Sequence, residues 1–159
     1  PGLLLAMTIV FLIGPSITVV IFVIGATHWA FFLVVSRSAT QKIKNLDYVT
    51  AASAIGASKF QIIMRDIIPN TFSQIIVIFT LEVGIAILNE ASLSFLGVGI
   101  QPPTPSWGLL IAEGKEAIFF QPWLIILPGI ALFTLVVSIN MMGDGLRDIT
   151  DPNSKVSEE

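Results

Sequence analysis

The chain of 159 residues is 54% hydrophobic and only 12% charged, whereas a soluble domain is about 25% charged, so the composition excludes a disordered segment and argues against a water-soluble fold. Its net charge of −3 offers no basic footprint for nucleic acid. Because there is no cysteine and a single histidine, His28, disulfides and thiol chemistry are excluded and no bound metal is expected.

Residues 1–36 contain no Asp, Glu, Lys or Arg and are predicted to form two membrane-spanning helices. As one helix they would be about 54 Å long, which exceeds the roughly 30 Å of a bilayer's hydrocarbon core. The Gly-Pro-Ser triplet at 14–16 favours a break, since Pro lacks a backbone donor and Ser can cap the next helix. Spans are therefore expected at about 2–13, which is short for a span, and at about 16–36. Without a basic leader, the chain is expected to be part of a longer protein.

The segment 37–71 is long for a link between two spans, and it is predicted to contain two short helices. The first helix, with Asn45 or Asp47 as its N-cap, is expected to end at Gly56. Apolar residues then recur at helical spacing until Pro69, which is expected to end the second helix. The pair could dock another protein or lie on the membrane surface as an amphipathic element, and composition favours neither.

A third span is predicted from Phe72 to Leu96, and it carries the ionisable residues Glu82 and Glu90. Ionisable residues inside a membrane mark functional positions by default. Glu82 and Asn89 lie on nearly one helix face, with Glu90 about 80° away. All three are expected to line a substrate path or lock helix positions. For Glu90 we favour a structural role, with hydrogen bonds from backbone donors of the following loop. His28 is expected to be a packing or interface residue.

A fourth span is predicted from Trp123 to Met142, which makes the fold class all-α, a polytopic transmembrane helical bundle. Continuous rather than alternating apolar runs argue against a barrel. The positive-inside rule places 37–71 and the tail 143–159 in the cytoplasm and 97–122 outside. The basic residues that decide this are Arg37, Lys42, Lys44, Lys59 and Arg65 in the first segment, Arg147 and Lys155 in the tail, and only Lys115 outside.

Proline-rich and glycine-rich motifs follow the third and fourth spans. Pro102, Pro103 and Pro105 are expected to form a stiff external turn. Glycines after the fourth span are expected to end its helix, at Gly143 or Gly145. The acidic residues of this end, interpreted as solvated rather than metal-binding, are Asp144, Asp148 and Asp151.

These motifs together resemble the permeases of ABC importers. The run Thr50-Ala51-Ala52, followed by Gly56 and later Pro69, resembles the Glu-Ala-Ala-x3-Gly loop of that family. The other matching stretches are 90–97 (EASLSFLG), 101–108 (QPPTPSWG), 122–123 (PW), 128–129 (PG), 143–148 (GDGLRD) and 151–152 (DP). In this order they resemble the C-type subunit of the dipeptide/oligopeptide/nickel branch over nearly the whole chain. Thr50 stands where the motif has Glu, which removes a carboxylate for an ion pair, whereas the small residues are kept.

The resemblance implies a type I ABC-importer transmembrane domain of a prokaryotic cytoplasmic membrane, with residues 1–159 as its C-terminal part. Implied partners are a second permease, two ATPase subunits that carry ATP and Mg, an external substrate-binding protein and the lipid bilayer. The positions implied to couple to an ATPase are Thr50, Ala51, Ala52, Gly56, Ala57, Ser58 and Pro69. The external positions implied to meet the substrate-delivery protein are Pro102, Pro103, Pro105 and Trp107.

We therefore expect a permease subunit that forms half of a translocation path for short peptides, or for nickel or related small solutes. The segment 48–69 would transmit the movement of the ATPases to the spans. The chain has no phosphate-binding loop and no evident Ser/His/Asp set, so neither a bound cofactor nor enzymatic activity is expected. The alternatives are an ion-coupled secondary transporter or channel that uses Glu82 and Glu90, and a membrane scaffold that does not transport.

Overall fold

A computed structural model describes residues 2–150, and every regular element in that range is a helix, which confirms the all-α class. The α-helices are α1 (Gly2–Ile13), α2 (Ile17–Lys44), α3 (Asp47–Ala54), α4 (Lys59–Ile62), α5 (Ile68–Phe95), α6 (Trp107–Gly114) and α7 (Trp123–Thr150). A π-helix (Ile63–Ile67) joins α4 to α5, and a 3₁₀-helix (Lys115–Ala117) follows α6. The tail predicted at 143–159 lies outside the described residues from Asp151 onward, and so does the Asp151-Pro152 motif.

Three helices among residues 2–150 are long and apolar enough to cross a membrane, namely α2, α5 and α7. The sequence predicts four spans, but α1 has 12 residues. Such a helix is about 18 Å long and shorter than a hydrocarbon core. Large apolar side chains remain exposed on the spans: Leu127 is 64% and Phe133 68% exposed. Exposed apolar faces of this size belong against lipid or another membrane subunit rather than water.

The predicted break between the first two helices is confirmed. Residues 14–16 are not helical, and the hydroxyl of Ser16 accepts a hydrogen bond from the backbone N–H of Val19 at 3.2 Å. This contact is the cap that the sequence predicts for Ser16, because it satisfies one of the free N–H groups at the start of α2.

The first of two compact units comprises the residues up to Trp29 together with Glu82–Asn140. Its buried core is a cluster contributed by α1, α2 and α5, consisting of Ala6, Val10, Val20, Val23 and Leu93. Between membrane helices such a core is stabilised by close van der Waals packing rather than by removal of apolar surface from water. This packing fixes the positions from which α2 and α5 present their polar side chains to each other.

The second unit comprises Ala30–Leu81 and the residues from Met141 onward. Its buried side chains include Ala39 and Ile43 of α2 and Val49 of α3. Val49 is the buried residue of α3, so this short helix is held by one apolar side chain while its other residues are exposed or half-exposed.

The prediction that Pro69 ends a short helix is wrong. The helical path runs from Lys59 through α4 and the π-helix into α5, so Pro69 lies in the first turn of α5. Around it the i→i−4 pattern is already altered, since the N–H of Ile68 bonds to the carbonyl of Ile63. The side-chain amide of Asn70 also donates to the carbonyl of Asp66 at 2.7 Å. These bonds let the helix pass a residue that lacks an N–H.

The segment 37–71 is therefore largely helical, with α2 extending to Lys44 and α5 beginning at Ile68. The N-cap predictions for α3 are also wrong: Leu46 is the N-cap, without a side-chain hydrogen bond, and Asp47 is the first helical residue. A carboxylate in a first turn is favourable through the helix dipole, so Asp47 supports the helix start without capping it.

The predicted helix end at Gly143 or Gly145 is wrong, because α7 runs on to Thr150. Gly143 instead allows a close approach in the second unit: a Cβ there would overlap the hydroxyl of Thr80 and lie 2.8 Å from its Cβ. Thr80 is 6% exposed. The helix therefore retains a residue of low helix propensity at a position where packing requires it.

Gly143→Ala is expected to destabilise the protein by about 1–3 kcal/mol, because the new methyl group overpacks the contact with Thr80. The measurement is the thermal unfolding midpoint of the detergent-solubilised full-length protein. Gly145→Ala is the matched control, since a Cβ at Gly145 meets nothing within 4 Å. Equal midpoints for the two variants would contradict the packing argument.

Candidate functional site

A hydrogen-bonded array joins α2 to α5 in the apolar part of the first unit. The side-chain amide of Asn89 donates from Nδ2 to Nε2 of His28 at 2.8 Å. An acceptor Nε2 leaves the ring proton of the neutral imidazole on Nδ1. Nδ1 then donates to Oε2 of Glu82, at 2.7 Å. The side chains of His28, Glu82 and Asn89 thus form one interhelical network, the His28 array.

His28, which the sequence predicts to be a packing or interface residue, has hydrogen-bond partners at both ring nitrogens, and its imidazole is the centre of this array. Its side chain is 27% exposed and that of Glu82 14%. Glu82 and Asn89 contact the same ring, as their placement on one helix face predicts. The signal in the sequence was the occurrence of a histidine and a carboxylate in otherwise apolar spans, since each requires a polar partner there.

Glu90 lies outside this array and has a different partner. The hydroxyl of Ser94 donates to Oε1 of Glu90 at 2.6 Å, and the same hydroxyl accepts from the backbone N–H of Ile100 at 3.0 Å. The turn that brings Ile100 back begins at Gly97, whose φ of +79° is the left-handed conformation that favours glycine. The backbone of the following loop therefore reaches Glu90 through Ser94 rather than directly.

A cavity of about 660 Å³ opens beside Glu90 in the first unit. Its walls are mostly aliphatic and come from α2, α5, α6 and α7. Trp107, the first residue of α6, lines the cavity together with Pro105 and Ser106, which precede that helix. Pro102 and Pro103, whose peptide bond is cis, are exposed. Of the residues that line the cavity, Glu90 alone carries an ionisable side chain.

The segment of α3 and α4 presents apolar side chains outward in the second unit. Ile55 is 87% exposed and Phe60 72%. Gly56 ends α3 as predicted, with a φ of +89°. Its N–H bonds to the carbonyl of Ser53, and that of Ala57 to the carbonyl of Ala52, both at 3.1 Å. This is the Schellman pattern, and it leaves Ile55 at the exposed tip.

The remaining positions of this segment have local hydrogen bonds. The hydroxyl of Thr50 donates to the carbonyl of Leu46 at 3.3 Å. Ser58 caps α4: its hydroxyl accepts from the N–H of Gln61 at 3.3 Å, and its own N–H donates to the side chain of Gln61 at 2.9 Å. Ala51 is exposed. These residues shape a surface of small and apolar groups and leave no buried charge in it.

A sequence profile of the family described as binding-protein-dependent transport system inner membrane component matches residues 1–156. The chain is 40% identical over 155 residues to the glutathione transport system permease protein GsiD of Escherichia coli O1:K1 / APEC. It is equally similar to GsiD of Shigella flexneri serotype 5b. Each alignment covers 98% of this chain and 51% of the relative, so the chain spans about half the length of the curated relatives it matches.

Proposed function

Because this chain belongs to the family of binding-protein-dependent transport system inner membrane components, as an ABC-importer permease of the dipeptide/oligopeptide type, we propose that it forms half of the translocation path of an ATP-driven importer. The proposed cargo is a short peptide. The name of the relatives, a glutathione transport system permease, supports a small peptide over the alternative of nickel or related solutes. The three long apolar helices support a membrane location, and the family's description as an inner membrane component supports the prokaryotic cytoplasmic membrane.

The observation that carries this proposal is the exposed apolar tip of the segment from α3 to α4. Ile55 and Phe60 are exposed by 87% and 72%, and Ile55 lies between the small residues Ala54 and Gly56. An apolar anchor surrounded by small side chains is what a protein partner can bury in a pocket. We assign this surface to one of two ATPase subunits, with Thr50, Ala51, Ala52, Gly56, Ala57, Ser58 and Pro69 in the same segment.

The mechanism follows from the helical path between this surface and the spans. Since α4, the π-helix and α5 are continuous from Lys59 to Phe95, a movement of the segment is passed to a membrane helix without an intervening loop. The π-helix at Ile63–Ile67 is the point where this path can adjust, because such elements interrupt regular helix bonding. ATP and Mg act on the partner ATPases, and this chain itself has no enzymatic role in the proposal.

The His28 array supplies the second part of the mechanism. A hydrogen-bonded pair in an apolar setting holds α2 against α5 in one arrangement, so the two helices move together when access to the path changes. A second permease subunit and lipid cover the exposed apolar faces of the spans. An external substrate-binding protein meets the segment 97–122, at Pro102, Pro103, Pro105 and Trp107.

Ile55→Asp is expected to remove most of the ATPase subunits that co-purify with the full-length permease in mild detergent, a loss of about tenfold or more. The reason is that a charge would have to be buried in the partner's apolar pocket. The measurement is quantitative mass spectrometry of the purified complex, with the membrane abundance of each variant determined in parallel. Loss of the ATPases must be accompanied by loss of ATP-driven uptake of a short peptide.

Ile149→Asp is the matched control, because Ile149 is 85% exposed in the second unit but lies in α7 rather than in the docking segment. If both variants retain the ATPases, docking does not occur at this tip. Uptake that survives Ile55→Asp but is lost in Glu82→Gln would instead support the ion-coupled transporter. If uptake survives in both Ile55→Asp and Glu82→Gln, transport depends on neither site of this chain, and the membrane scaffold remains.

A further inference from the structure

We propose that the cavity beside Glu90 is a binding subsite for a primary ammonium group attached to an apolar side chain, as at the free amino terminus of a peptide. The inference rests on the proposed function, since it names the chemical class of the solute that enters the path. It assigns Glu90 a role in ligand recognition in addition to the hydrogen bond with Ser94.

The charge of the cavity is the first argument. Its aliphatic walls include Val20, Ile24 and Ile87, and Glu90 is the ionisable residue among those that line it. A carboxylate in apolar surroundings is costly unless it is paired or fully hydrogen-bonded. None of the described residues that line this cavity is cationic, so a cation that pairs with Glu90 comes from outside these walls.

The hydrogen bonding of Glu90 leaves room for such a cation. A carboxylate has two oxygens with about four acceptor positions. Ser94 donates to Oε1, which orients the group from one side, and the hydroxyl of Ser94 is itself held by the backbone N–H of Ile100. The carboxylate is thus positioned in advance of binding, and an ammonium group with three donors can complete its shell.

Trp107 gives the cavity a second feature that favours a cation. Gly108 packs directly on the backbone of Ala91, so closely that a Cβ at Gly108 would overlap the carbonyl oxygen of Ala91. Trp107 directly precedes Gly108 in α6, and Glu90 directly precedes Ala91 in α5. Both Trp107 and Glu90 line the cavity. The face of an indole ring attracts an ammonium group, and tryptophan does so more strongly than other aromatic residues.

The size and position of the cavity fit a peptide terminus. A volume of about 660 Å³ lies within the range of small-ligand sites. Glu90 is five residues before the end of α5, on the side predicted to face outward, where a solute would enter. The aliphatic walls then accommodate the first side chain of the peptide, while Glu90 and Trp107 accommodate its ammonium group.

The test measures binding of leucinamide and of N-acetylleucinamide to the purified full-length permease in its complex. The two probes share the apolar side chain and differ in the ammonium charge. Leucinamide is expected to bind at least about tenfold more tightly, and Glu90→Gln is expected to abolish this preference. The glutamine keeps an acceptor for Ser94, so the local fold is retained, as the unfolding midpoint of the variant checks.

Glu116→Gln is the matched control, because Glu116 is an exposed carboxylate of the same unit that does not line the cavity. It must keep the preference. Equal binding of both probes to the unaltered protein, or an unchanged preference in Glu90→Gln, would overturn the proposal. ATP-driven uptake is measured separately. A preference that depends on Glu90 without any uptake would support this subsite and reject the importer. Uptake without a preference that depends on Glu90 would support the importer and reject this subsite.

Discussion

Gly108→Ala is expected to destabilise the protein by about 3 kcal/mol, because the new methyl group overpacks the contact between α6 and α5. The new Cβ would overlap the carbonyl oxygen of Ala91 and lie 2.7 Å from its Cα. These are backbone atoms of α5, so no side-chain rotation can relieve the overlap. Either α6 must move away from α5 or the start of α6 must unfold, and both would disrupt the cavity beside Glu90. The measurement is the unfolding midpoint of the full-length protein in a fixed detergent.

Gly129→Ala is the control for this prediction. Gly129 lies within α7, and a Cβ there meets nothing within 4 Å. Alanine has the higher helix propensity by about 1 kcal/mol, so the control is expected to be neutral or slightly more stable. If Gly108→Ala and Gly129→Ala unfold at the same temperature, the close contact between α6 and α5 is not present in the folded protein.

His28→Leu is expected to destabilise the protein by about 2 kcal/mol, since it leaves the carboxylate of Glu82 without its donor. Breaking a fully buried pair costs about 3–5 kcal/mol. Here the expectation is lower because the contact is a hydrogen bond from a neutral imidazole rather than an ion pair. The amide of Asn89 also loses its acceptor in this variant.

The double variant His28→Leu/Glu82→Leu is expected to be more stable than the sum of the single effects predicts, because removing both partners leaves no unpaired charge. The double-mutant cycle, measured by unfolding in detergent, isolates this coupling. Additive effects within about 0.5 kcal/mol would show that the His28 array does not hold α2 to α5. ATP-driven uptake by the same variants tests whether the array also serves transport.

The start or end of a helix could be predicted from the sequence where a residue acts on the backbone next to it. Gly56 ends α3 and Ser16 caps α2 as expected. The local pattern at Pro69 and Gly143 is misleading. Each residue is typical of a helix end, but in the structure neighbouring groups allow the helix to continue through it. The bonding of the π-helix accommodates Pro69, and contact with Thr80 requires Gly143 within the helix. Both effects depend on groups that a local pattern does not include.

The sequence by itself determined the helical class and the membrane environment. Uncharged apolar runs of this length are typical of segments that cross a bilayer, and in lipid every backbone group must be hydrogen-bonded within the protein. Its motifs also identified the family. Only the tertiary structure decided which polar groups meet. The partnership of His28 with Glu82 and the cavity beside Glu90 arise from contacts between helices far apart in the chain. Helix periodicity gives the face of a residue but not the helix that this face will contact.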